Sequence, residues 1–317
     1  MPGPVVVIPV AAGSADGARV DDLLAALAAH EPRVADVLIV DDQMPPRCWP
    51  GSDSGVGHPR VTVVPNPRRG RGIPTLGGTT AATLTGLAWA HAHRPGAWVL
   101  RLDADALVIG PFTEAIQAAL RPDDGILGSC HRTCNGDVRD VRAIGAEVRR
   151  HTRAVWCWRR PPRRPWWVRP ADRHVRSVLR QARAAGYRPG EHCIAAGCAI
   201  SAPLIAALHG RGWLADPRRW LHARLGDDMV LGAMSRACGL ALRDLHGVFG
   251  VMHRGVADNP AALRDRGFAI IHSLKNDPTW SEPQIRAFFA AARQRPGQPS
   301  FRSAATAPAG SGDEPRR

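Results

Sequence analysis

Short β-branched runs alternate with helix-like segments along the first 120 residues, and this alternation most constrains the fold. Apolar runs at 5–10, 37–40 and 61–64 are typical of strands buried on both faces of a sheet. Segments with helical spacing at 19–30 and 77–93 lie between or after these runs. Alternating strands and helices with short connections predict an α/β fold with a mainly parallel central sheet covered by helices on both faces.

Two aspartates follow the next apolar run directly, in the sequence WVLRLDADALVIGPF at 98–112. Asp103 and Asp105 are two residues apart at the predicted exit of a buried strand. Carboxylates at such a place are costly unless a positive charge neutralises them. Mg²⁺ and Mn²⁺ prefer oxygen ligands and leave positions open for phosphates, so the pair indicates a divalent cation that holds a diphosphate. The alternative is a strand followed by an acidic turn.

Acidic residues also end a second strand and begin a later helix. Asp41 and Asp42 follow the run at 37–40, and ligands of open parallel sheets bind beyond the carboxyl ends of the strands. Two acidic strand ends at one edge predict a cleft, although Asp41 and Asp42 could simply cap the next segment. Asp227 and Asp228 begin a predicted helix, where they could complement its dipole or act chemically.

An arginine- and glycine-rich loop, 68–72, precedes the second helix. Glycines allow backbone N–H groups to approach a phosphate, and the guanidinium of Arg71 matches phosphate geometry. This loop could therefore cradle a diphosphate or be a solvated basic turn. Gly78, at the start of the helix, could allow close packing of a bound ligand or serve the turn geometry.

The net charge of +14 is concentrated in one segment. Residues 149–188 contain thirteen arginines and a single acid, Asp172, and this part of the chain carries +12. It has three interpretations: a mobile lid with a solvated basic face, a surface for anionic lipid headgroups, or a site for an anionic acceptor or nucleic acid. Four tryptophans interrupt the arginines and would suit the second and third interpretations: Trp156, Trp158, Trp166 and Trp167.

Cysteine usage and hydropathy bear on the compartment. The seven cysteines are scattered, with no CxxC pair, so we expect neither a disulfide framework nor a zinc site. No apolar run approaches the roughly 20 residues of a membrane span, and the first residues lack the positive region of a signal peptide. These features predict a cytoplasmic protein.

Several of these motifs occur together in the order of one family. They are the strand VVVIPV, the strand LIVDD, the helix GGTTAATLTGLAWA, the DxD sequence at 103–105, the GDD at 226–228 and the late His272. In them the chain resembles the GT-A fold glycosyltransferases, especially the family 2-like branch, over roughly residues 4–290 apart from the basic segment.

The resemblance implies a donor site and a metal site. Asp42 would contact the base or ribose of a nucleotide-sugar donor, with Asp41 beside it. Asp103 would lie near the ribose or the metal, and Asp105 would bind the Mn²⁺ or Mg²⁺ that bridges the donor phosphates. Two late residues complete the implied site: His272, which would be a further metal ligand with His253 as its competitor, and Lys275, the only lysine, which would pair with the diphosphate.

The resemblance also implies the reaction. Asp228 would be the general base that deprotonates an acceptor hydroxyl in an inverting transfer, with Asp227 as the alternative base. A nucleoside diphosphate leaves readily only when its charge is neutralised, and a hydroxyl attacks readily only when a carboxylate takes its proton. A UDP-sugar is the expected donor, and the acceptor would be a glycan, a lipid-linked or a small molecule.

A single GT-A domain at 1–294 is the expected organisation. It would comprise a nucleotide-sugar-binding half at 1–128, a basic insertion at 129–192 and an acceptor half at 193–294, followed by a disordered tail at 295–317. The insertion could hold the enzyme peripherally at the inner face of a membrane.

Two other functions stay open. A sugar-phosphate nucleotidyltransferase shares a similar sheet, but it would need a basic glycine-rich loop directly after the first strand, where this chain has AAGSADG. A non-enzymatic protein that binds nucleic acid or a membrane surface by charge would leave the acids at the strand ends without a purpose, and nucleic acid is the least favoured partner.

Overall fold

The computed structural model describes residues 3–13, 15–49, 59–152, 170–194, 196–251, 259–272 and 279–294. Its strands are β1 (Val5–Val10), β2 (Asp36–Asp41), β3 (Arg60–Pro65), β4 (Val99–Leu102), β5 (Leu107–Val108), β6 (Asp124–Gly128), β7 (Gly197–Ile200), β8 (Ala241–Asp244), β9 (Phe249–Val251) and β10 (Ile270–His272). Its α-helices are α1 (Ala15–His30), α2 (Thr79–His93), α3 (Thr113–Ala119), α4 (Arg142–Thr152), α5 (Pro170–Ala184), α6 (Ala202–Gly210), α7 (Asp227–Ala237), α8 (Pro260–Asp265) and α9 (Glu282–Arg293). None of these helices is long and apolar enough to cross a bilayer.

Seven strands form the larger sheet, in the order β3-β2-β1-β4-β7-β6-β8. All neighbouring pairs are parallel except those of β7, which runs antiparallel to both β4 and β6. The prediction of a mainly parallel α/β sheet is therefore confirmed. A smaller sheet has the order β5-β10-β9, and it brings the end of β10 next to the segment that follows β4.

Apolar layers cover both faces of the larger sheet, as predicted. Successive side chains of a strand point to opposite faces, so Val5 and Val7 join one layer with helices α2, α5, α6 and α7. Val6 and Ile8 join the other layer with α1 and α3. Gly86 allows α2 to approach β1 closely, because a Cβ there would lie 2.3 Å from a methyl carbon of Val7.

The segment 129–192, which the sequence analysis interprets as a basic insertion, contributes one helix to the core. Helix α5 packs against α7, and its buried side chains continue the apolar layer on that face of the sheet. These side chains follow the spacing of an amphipathic helix: Val175, Val178, Leu179 and Ala182. The dense arginines on its other face concealed this stripe in the sequence. Residues 153–169, with the four tryptophans, and the predicted tail at 295–317 lie outside the described residues.

Helix α7 begins at the carboxyl-end edge of the sheet. Gly226 precedes its first turn in extended backbone, and Asp227 and Asp228 occupy that turn, where negative charge complements the helix dipole. The helix therefore delivers two adjacent carboxylates to the edge where β1, β2 and β4 end.

Candidate active site

A cleft of about 640 Å³ lies beyond the carboxyl ends of β1, β2 and β4. It brings together most of the acids that the sequence singled out, from strand ends and from the first turn of α7. The predicted site residues that line it are Asp42, Asp103, Asp105, Asp227, Asp228 and His272. The structure thus joins elements up to 230 residues apart in sequence into one concave site.

Asp103, Asp105 and His272 form a group that could hold a metal ion. One ligand atom from each lies within 4.8 Å of the others. His272 Nε2 lies 3.2 Å from Asp105 Oδ1 and 3.4 Å from Asp103 Oδ2. A tight turn after β4 presents both carboxylates, since the N–H of Ala106 donates to the carbonyl of Asp103. Two carboxylates and an imidazole, beside a cleft that leaves room for phosphates, fit Mn²⁺ or Mg²⁺.

Arg101 is a buried cation between the acids, and the sequence analysis did not identify it. Its side chain is 1% exposed, although it belongs to an apolar strand. Its Nη1 donates to Asp103 Oδ1 at 2.6 Å, and its Nη2 lies 2.9 Å from Asp227 Oδ2. Burial raises the pKa of Asp103, while the Arg101 guanidinium lowers it. The signal in the sequence is a single arginine within a buried apolar run.

Asp227 and Asp228 have different surroundings although they are adjacent. Asp227 Oδ2 accepts a hydrogen bond from Thr83 Oγ1 at 3.0 Å in addition to its ion pair with Arg101. Asp228 Oδ1 accepts from the backbone N–H of Met229 at 2.7 Å. Burial and the neighbouring Asp227 charge raise the pKa of Asp228 to about 7. A carboxyl group with this pKa can exchange a proton at neutral pH.

His192 and Arg139 border Asp228, and neither was identified from the sequence. His192 Nε2 lies 3.5 Å from Asp228 Oδ2, and the Nη2 of Arg139 lies 2.8 Å from the same ring nitrogen. Both residues belong to the segment that the charge pattern marked as an insertion. Their partner is 36 or more residues away in sequence, so no local pattern signals the contact.

Asp42 lies in the cleft and is held by the loop that follows β3. The Nε of Arg68 donates to both carboxylate oxygens of Asp42, at 2.6 and 2.8 Å. Asn66 also lines the cleft, and its side chain accepts from the N–H of Arg68 and donates to the carbonyl of Gly78. These contacts fix the loop against the end of β2.

Three predicted donor-binding residues do not reach the cleft. Asp41 points to the other side of the strand from Asp42 and is fully buried. Burial alone would raise the pKa of Asp41, but hydrogen bonds from Arg47 hold it below its ordinary value. Arg71 is exposed, and its carbonyl accepts from Arg68. Gly78 is buried against Arg68, whose Cδ would lie 2.9 Å from an added Cβ, so there is little room for a side chain at this position. Lys275 and His253 lie outside the described residues.

The comparisons with known proteins concern the fold. The sequence matches no protein-family model. It also matches no curated protein. Among solved structures, it is similar to the bifunctional glycosyltransferase WbbM, with a TM-score of 0.51 and 14% identity over 93% of this chain and 50% of that chain. This chain therefore spans about half the length of WbbM.

Two further solved structures are glycosyltransferases of similar overall size. LgtC, a galactosyltransferase in complex with donor and acceptor sugar analogues, gives a TM-score of 0.49 and 14% identity over 90% of this chain and 95% of that chain. Mouse xyloside xylosyltransferase 1 gives a TM-score of 0.45 and 11% identity, over 86% of this chain and 97% of that chain. At such identities the match to WbbM establishes the fold alone, which is the α/β fold of GT-A glycosyltransferases.

Proposed function

We propose that this protein is a metal-dependent glycosyltransferase that moves a sugar from a nucleoside-diphosphate donor to an acceptor hydroxyl. The observation that carries the proposal is the presence of two separate acidic groups in one cleft. Asp103, Asp105 and His272 form the first, and Asp228 belongs to the second. A transfer of this kind needs one group to neutralise a leaving diphosphate and another to take a proton from the acceptor.

The first group suits the donor. A divalent cation bound there would neutralise the charge of the leaving diphosphate. Asp103 and Asp105 would hold it through oxygen, and His272 through Nε2, which is the ring nitrogen that faces both carboxylates. Asp42 and Asn66 line the same cleft beyond β2 and would contact the nucleoside of the donor.

Asp228 suits the role of general base better than Asp227. The carboxylate of Asp227 is already engaged by Arg101 and Thr83. Asp228 lines the cleft and has a pKa of about 7, so it is partly ionised at neutral pH and can accept a proton from a hydroxyl. A separate carboxylate base on the acceptor side favours an inverting transfer.

The finer assignments remain predictions. They are the family 2-like branch, a UDP-sugar as donor, Mn²⁺ or Mg²⁺ as the metal, a glycan, lipid-linked or small-molecule acceptor, a cytoplasmic location and a peripheral membrane contact through 149–188. Much of that last segment lies outside the described residues, and the described part of it includes the exposed Arg173, Arg180 and Arg183 of α5.

Thermal stabilisation by nucleotides tests the donor site. The melting temperature would be measured with UDP, GDP, ADP and dTDP, each with and without Mn²⁺, for the wild type, Asp105→Asn and Asp265→Asn. A ligand that binds only the folded state at about 100 times its Kd stabilises by about 2.7 kcal/mol. We expect a metal-dependent shift with one nucleotide, which Asp105→Asn abolishes.

Asp265→Asn is the control because its carboxylate is 70% exposed and lies on α8, away from the residues that line the cleft. It should keep the full shift. If none of the four nucleotides stabilises a folded wild type, the donor site is wrong and charge-driven binding through the basic segment becomes the better account. If a shift persists in Asp105→Asn, the metal group is wrong.

A further inference from the structure

Arg139 is a partly buried cation held mainly by carbonyl groups. It lies in the loop between β6 and α4, and its Nη1 donates to the carbonyls of Ser129, Cys130 and His192 at 2.8, 2.6 and 2.8 Å. Its Nη2 lies 2.8 Å from the Nε2 of His192. Among the described residues, none of its hydrogen bonds goes to a carboxylate. The contacts fix the guanidinium in place without neutralising its charge.

The neutral ring of His192 lies between Arg139 and Asp228. The ring is 3% exposed, and its Nδ1 lies 2.7 Å from the carbonyl oxygen of Gly190, which can only accept. Nδ1 therefore carries the proton, and Nε2 accepts from Arg139. The same Nε2 lies 3.5 Å from Asp228 Oδ2, so one imidazole separates a fixed cation from the carboxylate.

Several charged groups act on the pKa of Asp228, and Arg139 is one of them. Asp227 and burial raise the pKa of Asp228, whereas Arg101 and Arg139 lower it. The charge of Asp228 also contributes to the raised pKa of the Tyr187 phenol, after burial as the main cause. Arg101 already forms ion pairs with Asp103 and Asp227. Arg139 forms no ion pair with a carboxylate in the described part of the chain, and the charges of Asp228 and Asp244 both act on it at longer range.

We propose that Arg139, acting across the neutral ring of His192, is a positioning residue that increases the ionised fraction of Asp228 and keeps its carboxylate directed into the cleft. The inference rests on the proposed function, because only an ionised Asp228 can take a proton from an acceptor. It assigns a role to two residues, Arg139 and His192, from the segment 129–192. It also explains why the ring nitrogen nearest the carboxylate points to an arginine.

Direct titration of Asp228 tests this proposal without substrate. The full chain would be labelled with ¹³C at the aspartate carboxyl carbons, and the Asp228 resonance assigned by its loss in Asp228→Asn. The titration would be repeated in Arg139→Gln, which removes the charge but keeps an N–H donor, and in Arg139→Lys, which keeps the charge. Arg139→Met is a second neutral variant in case the glutamine variant does not fold.

We expect the neutral variants to raise the pKa of Asp228 by about one unit, since an opposite charge within about 6 Å lowers a carboxyl pKa by that order. Arg139→Lys should restore most of the wild-type value. Arg211→Met is the matched control, because Arg211 also donates to a carbonyl, that of Ala237, and to an amide, but lies away from the cleft. It should leave the titration unchanged.

An unchanged Asp228 titration in a folded neutral variant would overturn the proposal, as would a shift of the same size in Arg139→Lys. The pH dependence of kcat/KM, measured once a donor is known, gives an independent readout: its acidic limb should move with the titration. Turnover by the wild type with an unmoved Asp228 pKa in the variants would refute the role of Arg139 alone. Absence of any turnover would refute the proposed function, while the titration would still decide the role of Arg139.

Discussion

Replacement of Arg101 by methionine should destabilise the protein because it removes a buried counter-ion from two carboxylates. Methionine has a similar length and can occupy the apolar part of the site. The guanidinium is 1% exposed and contacts Asp103 and Asp227 at 2.6 and 2.9 Å. Without it, both carboxylates lose their buried cationic partner, and among the described residues only the Thr83 hydroxyl still donates from a side chain to Asp227.

The expected loss of stability depends on how exposed Asp103 and Asp227, the two partners of Arg101, are to solvent. Removal of one member of a buried ion pair costs about 3–5 kcal/mol. The side chain of Asp103 is 32% exposed and that of Asp227 is 10% exposed, so water compensates the first more than the second. We therefore expect the free energy of unfolding to fall by about 3 kcal/mol, which lowers the melting temperature of a chain of this size by roughly 4–5 °C.

The effect should depend on pH with a defined sign. Burial raises the pKa of Asp103 and Arg101 lowers it, so the variant raises the folded-state pKa of Asp103 further above its unfolded value. A carboxyl group with a raised folded pKa favours the folded state at low pH and loses that contribution as the pH rises. The difference in the free energy of unfolding between wild type and Arg101→Met should therefore be smaller at pH 5 than at pH 8.

Urea and thermal unfolding in the presence of a chelator measure this difference in the free energy of unfolding. Arg60→Met is the control: Arg60 also contacts a buried acid, Asp36, but its side chain is 56% exposed and Arg94 remains as a second partner. An exposed pair of this kind contributes about 1 kcal/mol or less. If Arg101→Met costs no more than Arg60→Met, or if its cost grows as the pH falls, Arg101 is not the counter-ion of these acids.

Three further predictions concern single residues. Asp228→Asn should lower transfer by about 10²–10⁴-fold and keep nucleotide binding, and wild-type kcat/KM should rise with pH and reach half its plateau near the Asp228 pKa of about 7, measured by initial rates. His272→Ala should weaken Mn²⁺ binding by roughly tenfold or more, measured by calorimetry, because an inner ligand is worth at least as much as the outer partners of a site. Gly77→Ala should cost about 1–3 kcal/mol in urea unfolding, since its Cβ would lie 2.3 Å from the Leu221 carbonyl oxygen, whereas Gly13→Ala, with open space around it, should be near neutral.

The acids at the strand ends could be predicted because their signal is local. A buried run followed at once by Asp103 and Asp105 places both at the edge of a parallel sheet, and the same argument holds for Asp42. It does not separate Asp42 from Asp41, because neighbouring residues at a strand end point to opposite faces. That choice depends on Arg47, which closes over Asp41 from the loop beyond the strand.

The contacts of the cations in the site could not be predicted because their partners are distant in sequence. Arg101 lies 126 residues from Asp227, and Arg139 contacts a ring 53 residues away. The composition of 149–188 also suggested a solvated or membrane-facing segment, and this concealed the apolar stripe of α5. Charge density along a sequence does not reveal which arginines become buried, since burial is decided by the element that packs against them.

The aspartates at this end of the sheet differ in the partners of their carboxylates. Asp42 and Asp227 each form an ion pair with an arginine. In the described part of the chain, Asp228 instead contacts a backbone N–H and lies beside the neutral ring of His192. A direct arginine contact would hold Asp228 ionised but would make it a weak base. A cation one ring away lowers the pKa only in part, and this leaves the carboxylate able to take up a proton near neutral pH.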